Sequence, residues 1–132
     1  MKIATNVSLK GEAEMALITY QELFGGKIIC MHKYQKGMTD DPRLLGKLFH
    51  AELEIKGFYI YLQDTVEEYD YKKQAYQITV ECDTFAEAEK YFDTLKTGGT
   101  VLTPITHMPY GPYIGHLIDK FGITWDIVYC EP

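Results

Sequence analysis

Apolar and polar positions along this 132-residue chain mostly alternate in short stretches, interrupted twice by the longer period of a helix. Residues 3–9 interleave Ile3, Val7 and Leu9 with Ala4, Asn6 and Ser8, which predicts a short strand. After Gly11 the apolar positions Ala13, Ala16, Leu17, Tyr20, Leu23 and Phe24 follow helical spacing, and Gly25-Gly26 ends the helix. Residues 27–34 read as a second strand, and Gln35 to Gly46 as a loop rich in turn formers. From Leu48 to Ile55 the alternation is strict, with His50, Glu52 and Glu54 on one face. Lys56-Gly57 then turns the chain into a strand over Phe58 to Gln63.

The order strand–helix–strand–strand–strand recurs after a polar stretch over 65–74, read as a linker. Tyr76 to Cys82 is a strand, and Thr84 with Glu87 forms a capping box for a helix burying Phe85, Ala88, Phe92 and Leu95. That helix stops at Gly98-Gly99 and leads into a strand over 100–106 and a Pro-rich loop over 104–112. Tyr113 to Ile118 and Ile123 to Tyr129 close the chain as a hairpin. Ala16, Tyr20 and Leu23 match Ala88, Phe92 and Leu95, Gly25-Gly26 match Gly98-Gly99, and Gly57 matches Gly122. The expectation is a single α+β domain of two βαβββ modules, 1–64 and 75–132, forming a cupped, partly open mixed barrel with helices outside. Within the last strand Ile123, Trp125, Ile127 and Tyr129 fall on one side. Asp126 lies on the other, a carboxylate in an otherwise uncharged strand.

Composition narrows the partners. A net charge of −6 and a pI near 5.1 argue against nucleic acid or an anionic membrane, which both call for clustered Lys and Arg. Eleven Tyr among 14% aromatic residues suit half-buried sheets and pockets for planar or polar ligands. Cys30, Cys82 and Cys130 are widely spaced and form no CxxC, so they read as small buried apolar residues. Residues 1–6 carry no leader-type apolar run, and no stretch nears the ~20 residues of a membrane span, so a reduced, cytoplasmic location is expected.

The run Gly11-Glu12-Ala13-Glu14-Met15-Ala16-Leu17, with Tyr20 and Leu23-Phe24-Gly25-Gly26-Lys27-Ile28, resembles the first helix of PhnB-like proteins. These belong to the glyoxalase/bleomycin-resistance/dioxygenase (vicinal oxygen chelate) superfamily. His50-Ala51-Glu52-Leu53, Gly98-Gly99-Thr100-Val101, Pro104 with Tyr110-Gly111 and Gly115, and Asp119 to Trp125 extend the similarity over nearly the whole chain. The resemblance implies the two-module fold, a homodimer and a small-molecule ligand. A ubiquinone-pathway methyltransferase, a label attached to this branch, finds no counterpart in the residues: no Gly-rich strand-to-helix turn awaits a methyl donor.

Metal-dependent members of the superfamily hold a divalent ion with His and Glu on the first and last strand of each module. By this resemblance Asp126 stands at the last-strand position of the second module and Tyr61 at that of the first. Gln77 takes the first-strand position of the second module, and residues 4–6 that of the first; none is His. Zinc-class ions require several His, Cys or carboxylate ligands, so no metal in the usual form is expected; a divalent ion, if held, would use Asp126 and Gln77. Asp126 and His50 are the candidate catalytic groups, and Tyr59, Tyr61, Gln77, Glu52 and Tyr110 the candidate ligand contacts. His107 and His116 flank the Pro-rich loop and are expected at the surface, and Asp64 reads as a turn residue. Two functions follow. One is a protein that binds a small molecule in the cup; the alternative is a metal-dependent or acid–base lyase or isomerase using Asp126. Enzyme and binding protein both stay open.

Overall fold

The computed structural model describes residues 1–68 and 76–132. Its elements run β1 (Thr5–Leu9), α1 (Ala13–Phe24), β2 (Lys27–Lys33), β3 (Leu48–Ile55), β4 (Phe58–Asp64), β5 (Ile78–Cys82), α2 (Phe85–Lys96), β6 (Thr100–His107), β7 (Tyr113–Ile118) and β8 (Thr124–Tyr129). The chain forms two compact units, Met1–Tyr69 and Asp70–Pro132, each a βαβββ module. Residues 69–74 of the expected linker lie outside the described residues.

Each module is an open four-stranded mixed sheet, in order β1-β4-β3-β2 and β5-β8-β7-β6. The first strand pairs parallel with the last, and the others pair antiparallel. Neither sheet closes on itself as a barrel.

The helices bury the predicted faces. Ala13, Ala16, Leu17, Tyr20 and Leu23 of α1 pack inward, as do Ala88, Phe92 and Leu95 of α2. Phe85 stays at the surface, where its ring meets Tyr113 and Tyr129.

The two helix starts are built differently. Thr84 caps α2 by accepting from the Glu87 amide at 3.1 Å, while the Glu87 carboxylate accepts from the Asp83 amide at 3.2 Å. Glu12 at the start of α1 makes no side-chain cap. Asp64, at the end of β4, does the work instead. Its Oδ1 accepts from the amides of Gly11 (2.8 Å) and Ala13 (3.0 Å), and its Oδ2 from that of Leu48 (3.0 Å). Asp64 is thus a buried staple between α1, β3 and β4 rather than a turn residue.

The repeated Gly-Gly has a shared cause. Gly25 and Gly98 adopt positive φ (70° and 78°), which L side chains resist. A Cβ on Gly26 would lie 2.8 Å from the Glu54 carbonyl oxygen, and one on Gly99 only 2.2 Å from that of Ile118. In each module the first Gly turns the chain and the second lets β2 or β6 start against its neighbour. The hairpins differ. Lys56-Gly57, both at positive φ, make a two-residue loop between Ile55 and Phe58. The β7–β8 turn is longer, with the Asp119 amide donating to Ile123 O (2.8 Å) and Gly122 to Asp119 O (3.0 Å).

Candidate functional site

In module two, Trp125, Ile127, Leu117 and Cys82 are buried, and Gly115 admits the Phe92 ring of α2 against its backbone. Strand alternation therefore turns Asp126, His116 and Thr79 to the face away from α2. The register places these three side by side: Asp126 pairs with Thr79 of β5 and with His116 of β7. Asp126 is only 9% exposed. Its Oδ2 accepts from Gln77 Nε2 (2.8 Å) and Thr79 Oγ1 (3.1 Å). Its buried Oδ1 is met by Nε2 of His116, an ion pair when that ring is protonated. A carboxylate held by side chains from two neighbouring strand segments can orient an imidazole and anchor a polar ligand.

Gln77 meets Asp126 as expected. His116 does not lie on the loop; it is a half-buried strand residue. Its place is readable in the sequence, since a hairpin turning over 119–123 sets 116 opposite 126. His107 stays at the end of β6, stacked on Tyr113 (4.4 Å) and bonded to Gly111 O (3.1 Å). Tyr110 stands exposed in the β6–β7 loop, apart from the Asp126 cluster.

Module one carries a second polar cluster. Glu52 pairs across the strands with Cys30 of β2 and with Tyr61 of β4. Its Oε2 accepts from Cys30 Sγ (3.3 Å) and lies 3.2 Å from His50 Nε2, while Oε1 accepts from Lys2 Nζ (3.2 Å). These partners, the thiol first, hold the Glu52 carboxyl at about 2. Burial, then the neighbouring carboxylate, pushes the Cys30 thiol up. The Lys2 ammonium sits over Tyr59 (3.7 Å) and Tyr61 (5.2 Å), and Tyr61 packs edge-on to His50 (5.1 Å). His50, Glu52, Tyr59 and Tyr61 thus form one group. Of the cysteines only Cys82 is buried, so reading all three as core residues fails for Cys30 and Cys130.

The ligand positions of metal-dependent relatives do not suit an ion here. Tyr61 pairs in register with Asn6 and Asp126 with Thr79, and with Gln77, the expected first-strand position of module two, these residues supply a single carboxylate. His116 adds one nitrogen from a different strand, still short of the three or four ligands zinc requires.

A family model described as 3-demethylubiquinone-9 3-methyltransferase matches residues 1–128. The chain belongs to this family. Among solved structures, the PhnB protein from Bacillus cereus is 26% identical over 98% of this chain and 100% of its own, with a TM-score of 0.86. A protein from Pseudomonas aeruginosa is 24% identical over 100% and 99%, at 0.88. A glyoxylase/bleomycin resistance protein/dioxygenase domain from Frankia sp. shares the fold at 14% identity, over 97% and 90%, at 0.66. None of the curated proteins compared with the chain matches it. This 3-demethylubiquinone-9 3-methyltransferase family member is therefore PhnB-like and has the glyoxalase fold that its sequence implied.

Proposed function

We propose that the protein binds a small polar molecule on the face of module two that carries Asp126, without a metal of the superfamily's usual kind. One observation carries this reading: Asp126 is a nearly buried carboxylate on the sheet face away from the helix, held by Gln77, Thr79 and His116. Such a network adds little to stability compared with apolar packing, so its use is sought in recognition. Half-buried Ile114, Ile118, Thr124 and Val128 flank it and offer apolar walls. The methyl transfer in the family's name is not part of the reading. Among the described residues the β1–α1 connection has one glycine, Gly11, and neither sheet is doubly wound. The reading includes a homodimer, which would cover strand edges left open at β1, β2, β5 and β6, and a cytoplasmic location. The test is amide NMR with a panel of hydroxy acids, dicarbonyls and amines. Shifts clustered on β5, β7 and β8 and abolished in Asp126→Asn support binding there; shifts indifferent to that substitution overturn it.

A second reading is favoured by the His116–Asp126 pair, an arrangement that moves protons in many lyases and isomerases. It gives Asp126 a histidine on its own sheet, while His50 lies beside Glu52 in module one. Turnover of the same panel, lost in both His116→Gln and Asp126→Asn, would establish it; turnover kept in either variant removes it.

A further inference from the structure

A second cluster of potential ligands stands in module one, on β2 and β3 rather than on the first and last strands. Cys30 Sγ, His50 Nε2 and a Glu52 carboxylate oxygen all lie within 4.8 Å of one another, the one such group of three among the described residues. Cys30 faces Glu52 across the β2–β3 register, and His50 precedes Glu52 by two residues on the same face. We propose that Cys30, His50 and Glu52 bind a zinc-class divalent ion, with a fourth position open to water or a ligand.

The two distances from the Glu52 carboxylate match edges of a tetrahedron. Bonds of about 2.0–2.3 Å to N, O and S ligands set neighbouring ligand atoms about 3.3–3.5 Å apart. Oε2 of Glu52 stands 3.3 Å from Sγ and 3.2 Å from Nε2. Lys2 occupies Oε1, which leaves Oε2 turned toward the thiol and the imidazole. Tyr61 packs against the His50 ring and fixes its plane, the supporting role that outer partners play around metals. A thiol with an imidazole selects zinc-like ions over calcium or magnesium, which prefer oxygen cages. Three protein ligands and an open place are the arrangement of zinc sites that act on a ligand rather than only hold a fold. On binding, the Cys30 S–H bond breaks, its proton leaves to solvent, and the thiolate sulfur bonds the ion. Affinity therefore rises with pH.

The site shares no residue with the Asp126 face, and one experiment separates them. Tag-free full-length protein, stripped by chelator, is titrated with Zn(II) by calorimetry and with Co(II) by absorption. The expected result is one equivalent of metal and a near-ultraviolet thiolate-to-cobalt band. That band is lost in Cys30→Ser and kept in Cys130→Ser, whose thiol is exposed. His50→Gln, with circular dichroism confirming its fold, weakens Zn(II) by at least about tenfold, as loss of a ligand requires. Absence of binding, a band surviving Cys30→Ser, affinity unchanged in His50→Gln, or binding lost in Asp126→Asn but kept in Cys30→Ser would each overturn the proposal.

Discussion

Replacing Asp119 with Ala tests how the last hairpin holds the candidate site in register. Asp119 is 4% exposed, and its carboxylate gathers three donors. Oδ1 accepts from the Phe121 amide (2.9 Å) and the Ile123 amide (3.0 Å), and Oδ2 from the Trp125 indole (2.9 Å). The turn it braces is followed by the pair Ile118–Thr124 and, two residues on, by His116–Asp126. Each bond to an ionised acceptor contributes about 1.5–3 kcal/mol, and removing the carboxylate also relieves its desolvation, so the sum is an upper bound. The expected net loss is about 3–5 kcal/mol, a large share of the ~5–15 kcal/mol that holds a domain folded. Asp119→Asn, which keeps one carbonyl acceptor, should lose about half as much. Urea unfolding followed by far-ultraviolet circular dichroism measures the loss. Fluorescence of Trp125, the sole tryptophan, reports the indole's release. A loss under about 1 kcal/mol in Asp119→Ala would show that the carboxylate does not brace the turn.

Asp64→Ala should cost a similar ~3–5 kcal/mol, because the Gly11, Ala13 and Leu48 amides lose their acceptor; amide exchange at Gly11 and Ala13 that stays as slow as in the wild type would refute it. Gly99→Ala should destabilise by about 1–3 kcal/mol through collision with the Ile118 carbonyl, more than Gly25→Ala, where a Cβ meets open space and only φ is strained. Equal losses in thermal unfolding would remove the close-approach argument. Glu52 has a folded pKa depressed from 4.5 to about 2, so its stabilisation is present above 4.5 and is lost as pH falls toward 2. The stability advantage of wild type over Glu52→Gln should shrink across that window, and an advantage unchanged by acid would contradict the pairing.

Both helix faces, the Gly-Gly ends and the module order are legible in the sequence because each is local: a period, a cap, a turn. The position of Asp126 is equally legible, by counting from Gly122. Its partners were half legible. Gln77 follows from the resemblance, whereas His116 required pairing the hairpin residue by residue instead of grouping it with the nearby loop. Asp64 could not be read that way. Glu12 provides no cap, and the group that replaces it arrives from a strand some fifty residues later, which no local pattern announces. Cys30 was hidden for the same reason: its meaning lies in the Glu52 carboxylate across the β2–β3 ladder, not in its neighbours along the chain.

Each module has an imidazole beside a carboxylate, yet the two imidazoles stand at different places in the repeated strand order. Strand register makes Tyr61 the counterpart of Asp126, Glu52 of His116, and Asn6 of Thr79. At the last-strand position module two has an acid and module one a phenol; on the neighbouring strand module one has an acid and module two an imidazole. Module two therefore pairs His with Asp across β7 and β8, whereas module one pairs His50 with Glu52 along β3 and recruits Cys30 from β2. The consequence is chemical. A carboxylate held by Gln77 and Thr79 on one oxygen and facing His116 with the other suits recognition of a polar ligand, and a thiol, imidazole and carboxylate meeting at one oxygen suit a soft cation.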